Sequence, residues 1–323
     1  MAVDVTAFSA YARNEFMKGM IEINSQPMPA AYDSFVTNFP SKVRVETHTY
    51  MSQVPRLREF KGWSPGSRLT TTPWTVPNVT YRCGPIEVSK EDLDDDQLGG
   101  YMLAINYLPK QAQKDIGFKI LSTFAAGTTG LCFDGTAMFA DSHTIGSGDN
   151  LMTANNASND GLTHKIIAVI TNSPLKPMLF QDREPLGSLE TDAESPEGKK
   201  QRQFSYWADT RFGVSCAFWG AAIHMTITDT PTLTELDTHI TDICDRFRTF
   251  TLPKGSDADD SLYTWEGWIP EKSNFTLLCN LGLAQRLDKL RTTDLVASGT
   301  GGAVVNNQYQ DKFELIPTSA LGS

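Results

Sequence analysis

Five prolines, Pro55, Pro65, Pro73, Pro77 and Pro85, punctuate residues 46–88. Each removes a backbone donor and crowds the preceding turn, so no long helix can run through this stretch. Between them the residues alternate: Val79, Tyr81 and Cys83 point one way, Thr80 and Arg82 the other, and Ile86 and Val88 resume the pattern. That is strand spacing, and Trp63-Ser64-Pro65-Gly66 and Thr72-Pro73-Trp74 supply bends. The spacing predicts a long, irregular two-stranded hairpin over 46–88. Such a hairpin is marginal alone in water and needs a surface to lie on. A different periodicity follows at once. Ser89 with Asp92 fits a capping box, predicting a helix from near Lys90. Leu98, Met102, Ile105, Leu108, Ala112, Ile116 and Ile120 then recur at steps of three and four, one face of a rod about 33 Å long. Pro109 is expected to kink or restart it, and Gly127 to Gly130 to end it.

The flanks are read around these two elements. Residues 1–45 hold a short amphipathic piece (Phe8, Tyr11, Phe16, Met20) and then Pro27, Pro29 and Pro40, an arm that lies on something else. Residues 131–164 are loop-rich. Strands are expected at Lys165–Thr171 and Met178–Gln181, a mobile polar loop at Asp192–Gln203, and strands again from Arg211 to Thr228. Thr232 and Thr234 with Glu235 and Asp237 cap a helix whose face is Leu236, Ile240, Ile243 and Phe247. A strand at Asn274–Asn280, a helix with Leu283, Leu287 and Leu290, a Gly-rich loop at Ser298–Gly302 and a strand at Phe313–Ile316 complete a compact α/β lobe over 230–323. With 323 residues the chain can bury a core as two domains or one large elaborated one.

Composition excludes several function classes. Lys and Arg number 28 against 38 Asp and Glu, a net charge of −10, which does not suit a protein whose main task is to grip nucleic acid. The five cysteines are widely spaced and form neither a disulfide framework nor a zinc motif, so they are expected to be reduced core thiols of a protein made in a cytoplasm. The first twenty residues lack a basic start and an apolar run, so no secretory signal is expected, and no apolar stretch approaches the ~20 residues of a membrane span. Asp141-Ser142-His143 is the one tight acid–hydroxyl–imidazole cluster and the basis of an alternative hydrolase reading. Contiguity in a loop gives no converging triad geometry, so a loop bonding to its own backbone is the simpler reading. Gly146-Ser147-Gly148 and the Ser298–Gly302 run lack the lysine of a phosphate cradle and read as flexible loops. No cofactor or metal site and no catalytic residue is expected.

Charge is unevenly placed. Arg56, Arg58, Lys61, Arg68 and Arg82 face Glu59 alone, whereas Glu87, Glu91, Asp92, Asp94, Asp95 and Asp96 follow with only Lys90. Some of the acids favour the first turn of a helix. The sharper reading is that the basic hairpin of one copy meets an acidic surface of another, with Phe60, Trp63 and Trp74 as amphipathic anchors.

Pro55–Trp63 (PRLREFKGW), Val88–Gly99 (VSKEDLDDDQLG), Cys132–Phe139 (CFDGTAMF) with Asp141–His143, Leu175–Arg183 (LKPMLFQDR), Phe212–Ala222 (FGVSCAFWGAA) and the unit Asn274–Leu290 together resemble, in order, the Mu-like phage major capsid proteins. The resemblance implies an α+β, HK97-like fold: an N-terminal arm at 1–45, an extended E-loop β-hairpin at 46–88, a peripheral domain at 89–228 with a spine helix at about 90–127 and strands, and an axial α/β domain at 229–323. It implies a structural, non-enzymatic subunit that self-assembles into the hexamers and pentamers of an icosahedral head, enclosing double-stranded DNA without sequence-specific binding and without a membrane. Its implied place is the virion shell, and its implied partners are a portal and a cement protein. Only some 45 residues precede the hairpin, too few for a built-in scaffolding domain, so a separate scaffolding protein, or none, is expected. A head decoration or scaffolding protein is the alternative within the same setting.

Overall fold

The computed structural model describes residues 14, 17–22, 24, 28–51, 62, 71–89, 98–144, 148–156, 158–171, 173, 175–191, 203–250, 271–272, 274–298 and 303–322. In chain order these form β1 (Val36–Pro40), β2 (Val45–Met51), β3 (Thr71–Pro77), β4 (Val79–Arg82), β5 (Ile86–Ser89), α1 (Leu98–Ala125), β6 (Leu151–Asn155), β7 (Thr163–Ile170), β8 (Met178–Thr191) and β9 (Gln203–Cys216). Then come β10 (Ala222–Thr228), α2 (Leu233–Thr249), β11 (Phe275–Cys279), α3 (Leu281–Thr292), β12 (Leu295–Ser298), β13 (Ala303–Asn306) and β14 (Glu314–Pro317).

Two five-stranded sheets organise the molecule. The first runs β1-β8-β9-β4, with β5 also on β9; β1 is parallel to β8 and the other pairs are antiparallel. The second runs β14-β11-β7-β10-β6, parallel at its two outer pairs and antiparallel at β7. Its central strand is buried from Ile166 to Ile170 without alternation, as expected of a strand covered on both faces. β2 and β3 form a separate two-stranded ladder, from Val45 opposite Pro77 to Met51 opposite Thr71.

The helical faces lie where the periodicity puts them. Ile105, Leu108, Ala112, Ile116 and Ile120 are buried, and the seam continues through Leu121 and Phe124. The 28 residues of α1 form one helix through Pro109, so the proline does not restart it. At 1.5 Å per residue it is about 42 Å long. The expected start near Lys90 lies outside the described residues. α2 opens with a capping box: the Glu235 N–H donates to Thr232 Oγ1 at 3.3 Å and the Thr232 N–H to Glu235 Oε2 at 2.7 Å. Leu236, Ile240, Ile243 and Phe247 of α2 and Leu283, Leu287 and Leu290 of α3 are all buried.

Three expectations need correction. The hairpin ends at Pro77: β4 and β5 leave it and pair with β9 in the first sheet. The strands of 165–228 do not share one sheet, because β8 and β9 belong to the first and β7 and β10 to the second, so the sheets do not divide at residue 228. β8 runs past Gln181 to Thr191 and β9 starts at Gln203, well before Arg211. Register shifts between Asp182 and Gly187 let that ribbon accommodate Pro185.

Candidate functional site

The base of the β2–β3 hairpin is fastened by polar side chains. Asn78 donates through Nδ2 to Ser41 Oγ at 2.7 Å and to the Val43 carbonyl at 2.8 Å, and its N–H reaches the Arg44 carbonyl at 2.9 Å. The Glu46 carboxylate accepts from the Lys42 N–H and the Ser41 hydroxyl, and these bonds hold it below the usual carboxylate range. Gly213 of β9 is required at this junction. A Cβ there would lie 2.8 Å from Gln181 Oε1, 2.8 Å from the Pro77 carbonyl and 3.0 Å from Asn78 Oδ1.

One aromatic cluster sits above the clamp. The His48 ring packs edge-on to Phe39 at 5.1 Å and tilted against Trp74 at 4.9 Å, and Gln181 Nε2 meets His48 Nε2. Burial lowers the His48 pKa, which keeps that nitrogen an acceptor for the amide. Beyond this base the hairpin pairs with no further strand among the described residues.

Opposite its buried seam α1 presents Leu103, Tyr107 and Phe118 to solvent, each more than half exposed. Between this helix and the first sheet lies an open cavity of about 410 Å³, lined by Tyr81, Cys83, Ile116, Phe118, Lys119 and Phe212 among others. Phe118 borders the cavity, and with Leu103 and Tyr107 it leaves α1 an apolar outer face suited to a partner.

Of the residues expected to carry inter-subunit contacts, Trp74 and Arg82 are described. Trp74 is half-buried in the His48 cluster, and Arg82 lies 3.8 Å from Asp209 and over the Trp207 ring at 5.9 Å. Both therefore have partners within their own chain. Arg56, Arg58, Phe60, Lys61, Trp63, Arg68, Asp92, Asp94, Asp95 and Asp96 lie outside the described residues.

The Asp141-Ser142-His143 loop does not form a triad. Asp141 and Ser142 are exposed, while His143 turns inward, with Nδ1 3.1 Å from Asp134 Oδ2 and Nε2 3.1 Å from Asn150 Oδ1. Both ring nitrogens are occupied, so neither is left to activate Ser142, and the hydrolase reading loses its geometry. Burial alone would raise the Asp134 carboxyl, but hydrogen bonds from His143, Cys132 and the Thr136 N–H outweigh it and hold the group well below the usual carboxylate range. Sequence reasoning missed Asp134 and Asn150 as the partners of His143, because only the fold brings them around it.

His224, in the middle of the second sheet, is 3% exposed, and burial, aided by the Lys165 charge, lowers its pKa to about 4. The unfolded chain takes up that proton near pH 6.5 and the folded one only near 4. The stability from keeping the ring neutral is therefore complete above about 6.5 and is lost as pH falls through about 4, up to about 3 kcal/mol. Urea midpoints measured between pH 7.5 and 4.5 are expected to fall on the acid side, and His224→Gln to flatten that fall. Equal slopes in the two proteins would exclude His224 as its source.

Comparison with known proteins then places the chain. The family described as Mu-like prophage major head subunit gpT matches residues 5–243. The chain belongs to that family. This gpT-family subunit is 23% identical over 328 residues to the major capsid protein of Escherichia phage Mu, covering 96% of this chain and 95% of that one. It is 26% identical over 202 residues to the Mu-like prophage FluMu major head subunit of Haemophilus influenzae, covering 60% of this chain and 65% of the relative. In structure it is similar to the bacteriophage JBD30 capsid, with a TM-score of 0.68, 17% identity and 91% of each chain covered. The JBD30 procapsid gives 0.67 and 18%, over 99% of this chain and 100% of the other. The fold is thus the α+β capsid fold, and the protein is a major capsid protein of a tailed phage, with its place in the virion shell. Its family is that of the shell subunit, not of a decoration or scaffolding protein. Among the described residues no helix is long and apolar enough to cross a membrane.

Proposed function

We propose that copies of this chain join as hexamers and pentamers into an icosahedral head around double-stranded DNA, and that the subunit acts as structure, without catalysis. The observation that carries this reading is the β2–β3 hairpin, fastened at its base to the turn after β1 through Asn78 and to β1 and β8 through His48, and paired with no other strand among the described residues. In this reading the hairpin of one subunit lies on the first sheet and α1 of the next, covering Leu103, Tyr107, Phe118 and the cavity beside them. The arm would be the residues before β1, since β1 is itself a strand of the first sheet, and the E-loop the hairpin. The peripheral domain would comprise the first sheet with α1, and the axial domain the second sheet with α2 and α3. The net charge of −10 suits a container, because affinity for DNA grows with neutralised phosphates and would hinder release. A portal and a scaffolding protein are the remaining partners. A cement protein fits as well, since one JBD30 structure similar to this chain is described as a capsid decorated with minor capsid protein trimers.

The basic residues of the sequence between β2 and β3 give the test. Reversing Arg56, Arg58 and Lys61 together to Glu is expected to cut particle yield at least tenfold while circular dichroism and thermal unfolding stay those of the folded chain. One surface pair contributes about 0–1 kcal/mol, so single reversals are expected to show little, and the effect comes from repetition around the shell. Undiminished particle yield from the triple variant would contradict the reading.

A further inference from the structure

From Gly127 to Asn150 the chain crosses from α1 to β6, and among the described residues its ladder pairing is the isolated bridge of Leu131 to Ala137. The same segment sends Cys132, Phe133, Met138, Phe139 and His143 into the interior. A long irregular stretch inside a compact body needs something to fix it. At its centre one donor atom each from Cys132, Asp134 and His143 lie within 4.8 Å of one another.

The hydrogen-bond pattern around these atoms calls for an added positive charge. Asn150 Nδ2 donates to the carbonyls of Met138 at 2.7 Å, Ala222 at 3.1 Å and Trp219 at 3.3 Å, which fixes the amide's orientation. Its Oδ1 therefore accepts, from the Ala140 N–H at 2.9 Å and from His143 Nε2 at 3.1 Å. A neutral ring would thus carry its proton on Nε2 and turn the Nδ1 lone pair toward Asp134 Oδ2 at 3.1 Å, so the His143 contact that favours the Asp134 carboxylate requires a second ring proton or a cation at Nδ1. A lone pair and a carboxylate oxygen at that distance repel unless a cation or a second ring proton stands between them. Cys132 Sγ lies 2.8 Å from the other carboxylate oxygen, Oδ1.

We propose that Cys132, Asp134 and His143 bind a divalent transition metal, with zinc the ion that best fits the donors. Thiolate sulfur, imidazole nitrogen and carboxylate oxygen are zinc's usual ligands, at about 2.0–2.3 Å, which sets the ligand atoms of a tetrahedral site about 3.3–3.8 Å apart. The separations here need only small side-chain shifts to reach that. A thiolate excludes calcium and magnesium as the natural occupants. One thiolate and one carboxylate cancel the ion's two positive charges, so the filled site is neutral beside the Trp219 ring, which stacks on the imidazole at 4.1 Å. Asn150 on Nε2 is the outer-shell partner that fixes a ligating histidine's tautomer. A coordinating ion deprotonates a thiol outright, so binding at Cys132 releases a proton. The ion would pin the segment between α1 and β6 from inside.

The test uses the full chain, purified as assembled particles without chelating steps. Elemental analysis is expected to find close to one zinc per chain. Protein stripped of metal and dialysed against cobalt(II) is expected to show thiolate-to-cobalt charge-transfer absorption, which Cys132→Ser and His143→Gln abolish. Stripping is expected to lower Tm by several degrees, restored by equimolar zinc and not by magnesium. Should a variant fail to fold, the metal content and cobalt spectrum of the unaltered protein decide alone. Unaltered protein holding under about a tenth of a transition metal ion per chain, and taking up no cobalt, overturns the proposal and assigns the cluster to a buried hydrogen-bonded His143–Asp134 pair.

Discussion

Removing residues 46–76 and joining Val45 to Pro77 through a two-residue Gly-Ser turn is expected to abolish particle formation and leave a folded chain. Val45 and Pro77 are opposite each other in the β2–β3 ladder, so their Cα atoms are about 5 Å apart and a two-residue turn closes the gap. The clamp of Asn78 on Ser41 and Val43 remains, as do both five-stranded sheets. The chain loses the exposed Glu46 bonds to Ser41 and Lys42. It also loses the burial of Val76 and the contacts of His48 with Phe39 and Gln181, about 3–6 kcal/mol together. A shell that draws on the same ribbon at every subunit contact loses far more. Sedimentation velocity and electron microscopy read the assembly, and urea unfolding reads the body. Intact shells from the shortened chain would show that the ribbon is not what joins subunits.

The second large effect is expected inside the body. Trp219 is fully buried, stacks on His143 at 4.1 Å and meets Phe250 edge-on at 5.6 Å. It also closes over Gly148, where a Cβ would come within 2.8 Å of the indole. Trp219→Ala empties the joint between the 127–150 segment, the second sheet and the end of α2. Truncating a large buried aromatic costs about 3–5 kcal/mol, a large share of the 5–15 kcal/mol that holds a typical domain together. The urea midpoint is expected to fall accordingly, and hydrogen exchange to accelerate over 131–150. A shift under about 1 kcal/mol would mean that the site collapses around the gap and that Trp219 is not the keystone of that joint.

Much of this architecture was legible from residue order. Periodicity marked α1, α2 and α3 because each buries one stripe, and Thr232 with Glu235 marked the start of α2 because capping is a local affair. Strand partnership was not legible. Alternation over 79–88 reads the same whether β4 and β5 belong to the hairpin or cross to β9, and only tertiary pairing decides. The same holds for β7 and β10, whose apolar runs do not state which sheet they enter. The 182–191 ribbon was missed because Pro185 and Gly187 break the local pattern while the register shifts absorb them. In the buried cluster the signal was present but dispersed: Cys132, Asp134 and His143 share one loop, yet Asn150, which fixes the imidazole, follows beyond the exposed Asp141 and Ser142 that drew attention as a triad.

Hydrogen exchange at the backbone amides of 46–76, compared between isolated subunits and closed shells, tests the central claim most directly. A two-stranded ribbon with no third strand among the described residues opens readily, so the amides of β2 and β3 are expected to exchange nearly freely in the isolated subunit. In the shell they are expected to slow by about a hundredfold or more, as a neighbouring copy supplies the missing surface, while β7 and β11 stay protected in both states. Equal protection of the ribbon before and after assembly would contradict the account, for it would mean that each chain already covers its own hairpin.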